Sequence, residues 1–201
     1  MTTFLLIRHG AHLLGGETIA GRMPGVRLSP LGEAQAAGLV GRVGGAPIRA
    51  VYSSPVERCV QTARPLAAHL GVDVAVAEGL TEIDFGAWTG RTLEELRPLA
   101  GWKRWNAFRS GARPPGGESM AEVQGRVVRE MERLSGEHPD ECVALFSHGD
   151  VIRAAVAYFL GAPLDLFQRI EISLASVSVV RIGEFGPSVL GVNCAGEVVM
   201  G

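Results

Sequence analysis

The chain has 201 residues, 47% of them hydrophobic, enough to bury a substantial core but too few for two ordinary domains. With 19 Lys and Arg against 21 Asp and Glu, the formal charge of -2 excludes an overall basic field for holding nucleic acid or anionic lipid, so any anion site must be local. No stretch approaches the ~20 apolar residues needed to span a bilayer, because Arg153, Gly161 and Pro163 interrupt the best candidate, Val151 to Phe167.

Met1-Thr2-Thr3 leads into a short apolar run, Phe4 to Ile7, which lacks the basic start and longer apolar region of a signal peptide; a cytoplasmic location is the default expectation. The run predicts a strand over Thr3 to Arg8, with further strands near Ala50 to Tyr52, Asp73 to Ala77, Cys142 to Phe146, Val177 to Ile182 and Ser188 to Val192. Segments of helical period alternate with these runs. Ser29 as N-cap and Pro30 at the first position open a helix whose expected core stripe is Leu31, Ala34, Leu39 and Val43. Ser54-Pro55-Val56-Glu57 reads as a capping box opening a helix from Pro55 to about Leu70, stopped by Gly71. Ser119-Met120-Ala121-Glu122 repeats the device for a helix to about Leu134, and another is expected from Asp150 to Leu160. The fold class that follows is an α/β three-layer sandwich, a mostly parallel central sheet flanked by helices. One domain over residues 1–201 is expected, with a short helical insertion of about residues 80–117 over the site. Cys59, Cys142 and Cys194 are odd in number and form no Cys-x-x-Cys pair, so all three are read as packing residues.

Open α/β sheets bind ligands at strand exits, and two exits here carry nearly the same signature, Arg8-His9-Gly10 and Ser147-His148-Gly149. Each glycine is expected to let the chain turn sharply, so that the imidazole projects into the crevice. A third exit, Ser53-Ser54-Pro55, leads to a helix whose first turn displays Arg58. Two imidazoles and two guanidiniums suit a phosphate: arginine supplies fork-shaped donors, one imidazole can attack phosphorus, and the other can donate a hydrogen bond. Expelling an alkoxide needs a proton, for which Glu82 in Leu80-Thr81-Glu82-Ile83-Asp84-Phe85-Gly86 is the candidate, kept partly protonated by apolar neighbours.

In order along almost the whole chain, Arg8-His9-Gly10, Ser53-Ser54-Pro55-Val56-Glu57-Arg58 with Gln61-Thr62-Ala63, and Ser147-His148-Gly149 resemble the histidine phosphatase, or phosphoglycerate mutase-like, superfamily. The resemblance implies that His9 becomes phosphorylated, that Arg8, Arg58 and His148 complete the phosphate pocket, and that Glu82 is the general acid. Water then hydrolyses the phosphohistidine, with neither metal nor cofactor. Arg22 and Gly149 are carried over as substrate-binding residues, and Gly117-Glu118-Ser119 matches a Gly-Glu-Ser element of the family. The expected activity is hydrolysis of a small-molecule phosphomonoester, with no nucleic-acid or membrane partner and a homodimer as the oligomer entertained. Ala11-His12 depart from the Glu or Gln, then Ser or Thr, that usually follow Arg-His-Gly. Two alternatives stand beside hydrolysis: a phosphoglycerate mutase, disfavoured by the short insertion around Lys103, Arg104, Arg109 and Arg113, and a non-catalytic phosphate-binding module prompted by Ala11. His69 and His138 are expected at surface or capping positions, and Trp88, Trp102 and Trp105 to pack the insertion rather than line a substrate mouth.

Overall fold

Six strands form one sheet in this computed structural model, which describes residues 1–196; the expected domain of residues 1–201 reaches past them. The strands are β1 (Thr2–Arg8), β2 (Ile48–Ser53), β3 (Val74–Val76), β4 (Cys142–Ser147), β5 (Val177–Gly183) and β6 (Gly186–Cys194). Their order is β3-β2-β4-β1-β5-β6. The first four strands pair in parallel, while β5 runs antiparallel to β1, and β6 to β5. Parallel pairing buries both faces of the central strands, which is why β4 reads Cys-Val-Ala-Leu-Phe without polar alternation and is buried throughout.

The helices are α1 (Pro30–Val43), α2 (Glu57–Leu70), α3 (Leu93–Leu96), α4 (Ala100–Ala107), α5 (Met120–Glu137) and α6 (Gly149–Phe159). Alternate residues of β1 serve two cores. Leu5 and Ile7 join Leu39 and Val43 of α1 and Leu66 of α2, whereas Phe4 and Leu6 join Val127 and Met131 of α5 and Ile152 and Val156 of α6. The helices following the neighbouring strands β1 and β4 thus cover opposite faces. That divergence opens a crevice between the ends of β1 and β4, the switch point at which open α/β sheets take ligands.

Two local expectations are corrected. On α1, Leu31 and Ala34 face solvent, and the buried stripe is Gly32, Ala36, Leu39 and Val43. A Cβ on Gly32 would lie 2.0 Å from the Ala11 carbonyl oxygen, and one on Gly10 would lie 2.7 Å from that of Gly32. The first turn of α1 is therefore pressed backbone to backbone against the loop after β1, and this contact sets its rotation. Ser54 does not form a capping box: α2 begins at Glu57 behind Val56, with no side-chain cap. The Ser119 and Glu122 side chains do form one, and Gly71, at a φ of 68°, closes α2.

The segment leading into and through residues 80–117 carries 3-10 turns (Glu78–Leu80 and Gly86–Trp88), then α3 and α4. Trp88 and Trp105 are buried in the same core as α5 and α6, and Trp102 meets Trp88 edge to face with ring centroids 5.3 Å apart. Arg109 lies over the Trp105 ring at 4.5 Å and pairs with Asp150 at 3.4 Å. The tryptophans pack this segment onto the sheet, as their type suggests. Its contribution to the crevice comes instead from Glu82 and Phe85.

Candidate active site

The chain leaves β1 through His9, whose backbone N–H donates to the Ser147 carbonyl at 3.0 Å, so the two strand exits are held side by side. Neither Gly10 nor Gly149 adopts a positive φ, so the left-handed freedom of glycine is not what these positions use. Gly10 is needed for its close approach to Gly32, and Gly149 because a Cβ there would lie 3.2 Å from Arg8 Cζ. Glycine serves proximity at both places. The Gly10 N–H donates to Thr62 Oγ1 at 3.1 Å, and Thr62 donates to the Arg58 carbonyl at 2.6 Å, tying the His9 corner to the first turns of α2.

His9 is 3% exposed, and its Nδ1 lies 2.8 Å from the Gly10 carbonyl. A carbonyl only accepts, so Nδ1 carries the proton and the lone pair resides on Nε2. Arg58 Nε donates to that Nε2 at 3.2 Å. From the same guanidinium, Nη2 donates to the Gly21 carbonyl at 2.9 Å, with Glu82 Oε2 at 3.4 Å and His148 Nδ1 at 3.1 Å. His148, fully buried, has Nδ1 3.3 Å from Glu82 Oε2 and Nε2 2.9 Å from Ser54 Oγ. The His9 and His148 rings lie 5.2 Å apart. Arg8 donates through Nη1 to the Ile172 carbonyl at 2.7 Å. Three buried nitrogens of crevice-lining residues, Arg8 Nε, Arg58 Nη1 and His12 Nδ1, have no partner among the described residues.

Burial, reinforced by the Arg58 charge, holds the pKa of both His9 and His148 well below 6.5, so both imidazoles are neutral at pH 7. Burial moves Glu82 the other way, raising its carboxyl above 4.5 against the opposing pull of Arg58. These shifts carry a stability consequence. Below pH 6.5 the unfolded chain takes up protons that His9 and His148 refuse when folded, each costing up to about 1.4 kcal/mol per pH unit; Glu82, whose folded pKa is raised, offsets part of this loss. The melting temperature is expected to be lower at pH 5.5 than at pH 7.5 in phosphate-free buffer. The decline should be shallower in His9→Ala; equal pH dependence in both proteins would contradict the shift assigned to His9.

All five residues expected at the catalytic centre converge. Arg22 stands differently: its Nε donates to the Glu82 carbonyl at 2.7 Å and its Nη2 pairs with Glu118 at 2.6 Å, and it does not line the crevice. Arg126 on α5, which carried no local signal in the sequence, donates to the same carbonyl at 3.2 Å and pairs with Glu118 at 3.1 Å. Glu118 also accepts the Asp84 N–H at 3.0 Å, so one carboxylate anchors both arginines and the backbone beside Glu82. Ser54, read from the sequence as a helix cap, instead holds His148. The Cys59 thiol packs 3.4 Å from His148, its pKa pushed up by burial. His138 forms the C-cap of α5 and bonds to Tyr52 and Glu141, while His69 is exposed.

The crevice encloses about 280 Å³ and is lined by Arg8, His9, Arg58 and Glu82, then by His12, Thr18, Ile19, Phe85 and Leu174 with intervening small residues. His9, Glu82 and His148 offer ligand atoms within 4.8 Å of one another, close enough to share a cation. Arg58 reaches all three, so a cation would rest against a fixed positive charge. The donor set favours an anion.

An anion pocket at the carboxyl ends of a parallel sheet, built on paired His-Gly corners, is the class that this geometry defines. Residues 4–195 match the histidine phosphatase superfamily (branch 1), and the chain belongs to that family. It is 35% identical over 192 residues to the bifunctional protein Rv2228c of Mycobacterium tuberculosis, covering 93% of this chain and 52% of that protein. The chain thus spans about half the length of that relative. It is 32% identical over 194 residues to Probable phosphoglycerate mutase GpmB of Salmonella choleraesuis, covering 92% and 86% of the two chains. A mycobacterial glucosyl-3-phosphoglycerate phosphatase solved with VO3 superposes with a TM-score of 0.86 at 26% identity, over 96% of this chain and 99% of that one. No helix among the described residues is long and apolar enough to cross a membrane.

Proposed function

We propose that the chain hydrolyses a small-molecule phosphomonoester through a phosphohistidine on His9. The observation that carries this reading is the neutral His9 imidazole, its proton pinned on Nδ1 by the Gly10 carbonyl and its Nε2 lone pair facing a cluster of guanidinium donors. In the first step Nε2 attacks phosphorus as the bond to the leaving oxygen breaks; that oxygen keeps the electron pair and takes the Glu82 proton. Arg58 Nε exchanges His9 Nε2 for a phosphoryl oxygen, while Arg8 Nε, Arg58 Nη1 and His148 complete the donors around the transferring group. In the second step water attacks phosphorus, Glu82 accepts its proton, and the N–P bond breaks with its electrons returning to Nε2. Arg22 and Arg126 support this chemistry by holding the backbone of Glu82, and Gly149 by leaving room for Arg8.

Turnover of p-nitrophenyl phosphate in the presence of EDTA tests the reading; binding without turnover would make the chain a phosphate-binding module. The alternative supported by the 32% identical relative is phosphoryl exchange between phosphoglycerates, which would appear as bisphosphoglycerate-stimulated isomerisation exceeding phosphate release.

The acid role of Glu82 makes a sharper prediction. The reaction needs His9 unprotonated and Glu82 protonated, so kcat/KM is expected to fall as pH rises through the elevated Glu82 pKa. Glu82→Gln should remove that alkaline limb and lower kcat by about 10²–10⁴-fold for an alkyl ester. The loss should be much smaller for p-nitrophenyl phosphate, whose leaving group needs no proton. An equal loss for both esters would assign Glu82 a purely structural role.

A further inference from the structure

We infer, on the hydrolase reading above, that the substrate is the phosphate ester of an uncharged alcohol with an apolar face, such as a nucleoside, and that the cleft rejects leaving groups bearing a carboxylate. Beyond the residues that would hold the phosphoryl group, the lining offers no Lys or Arg among the described residues: its larger side chains are His12, Thr18, Ile19, Phe85 and Leu174. Ile19, Phe85 and Leu174 give an apolar wall, with Phe85 anchored in the core and 9% exposed. His12 adds no charge, because burial and the nearby Arg58 and Arg8 lower its pKa to about 4. Arg22, the basic residue beside the acid, is committed at 2.7 Å to the Glu82 carbonyl and at 2.6 Å to Glu118. A carboxylate on the leaving group would therefore enter the cleft with no counterion beyond the two arginines that hold the phosphoryl group. Desolvating an unpaired carboxylate is costly, whereas a neutral ring would gain by covering the apolar wall.

Glycerol 3-phosphate and 3-phosphoglycerate isolate the charge, since they differ only in whether the end of the leaving group is a hydroxymethyl or a carboxylate. The expected result is a kcat/KM at least about tenfold higher for glycerol 3-phosphate, with adenosine 5'-monophosphate higher still. An equal or larger value for 3-phosphoglycerate overturns the inference. His12→Arg, which places a cation in the lining, is expected to move the ratio about tenfold toward 3-phosphoglycerate; an unchanged ratio in a folded variant places the leaving group elsewhere and overturns the assignment. Arg22→Ala is expected to lower turnover of both esters alike. A loss confined to 3-phosphoglycerate would make Arg22 the missing counterion and overturn the inference. Turnover of p-nitrophenyl phosphate with a preference for 3-phosphoglycerate defeats only this inference, whereas failure to turn over any ester defeats the hydrolase reading and this inference with it.

Discussion

His9→Ala is expected to lose on the order of 10⁴-fold or more in kcat, because no neighbouring group can replace an imidazole nucleophile. His148 is 5.2 Å away, ring to ring, but its Nε2 is engaged by Ser54 and its Nδ1 faces Arg58 and Glu82. His12, at 5.6 Å, belongs to the crevice lining rather than to the donor cluster. Rapid quench with a radiolabelled ester should trap an acid-labile, base-stable phosphoprotein in the native chain and none in the variant. Equal labelling of the two would remove His9 from its proposed role. Arg8, Arg58 and His148 persist in the variant, so inorganic phosphate should still bind and compete, separating loss of chemistry from loss of the pocket.

Arg58→Ala is expected to be nearly as damaging, by a different route. This guanidinium, 1% exposed, contacts His9, His148, Glu82 and the Gly21 carbonyl. Its removal takes away phosphoryl donors and also leaves the partly buried Glu82 carboxyl without its arginine partner. A fall on the order of 10³-fold in kcat/KM is expected from the donors alone, with a loss of about 3 kcal/mol in unfolding free energy from the broken pair and the space left behind. Chemical denaturation and steady-state kinetics measure the two losses separately. The pH profile should move as well: without the Arg58 charge, protonation of His9 becomes easier and the Glu82 pKa rises further, so both limbs shift to higher pH. Arg58→Lys should recover little activity, since one ammonium cannot reproduce a planar fork spanning two imidazoles and a carbonyl. Near-native kcat/KM in Arg58→Lys would mean that charge alone suffices.

The parts of the site legible in the sequence share a physical origin. A strand exit that must present a side chain and then turn under close neighbours leaves a local mark, and Arg8-His9-Gly10 and Ser147-His148-Gly149 are such marks. Their glycines were expected for conformational freedom, whereas Gly10 passes against the backbone of Gly32 and Gly149 against the Arg8 guanidinium. Both readings select the same residue, so the motif was found although its cause lay in packing. Ser54 shows the opposite case. Its spacing to Glu57 satisfies a capping pattern, yet its hydroxyl lies against an imidazole 94 residues away in sequence, a partner that no local window contains. Arg126, which donates from α5 to the carbonyl of Glu82 and pairs with Glu118, was likewise beyond local reach.

Local rules and hydrophobic period were sufficient to identify the six strands, the four longer helices, the strand exits and the residue types that would meet there. These features depend on backbone geometry and on which side chains must leave water, and both act over a few residues. The rotation of α1, the reassignment of Ser54 from cap to histidine support, the commitment of Arg22 to Glu118 and the lack of an added cation in the crevice lining were decided only in three dimensions. Each depends on a contact between segments distant in the chain, where the cost of overlap or of an unpaired charge overrides a local preference.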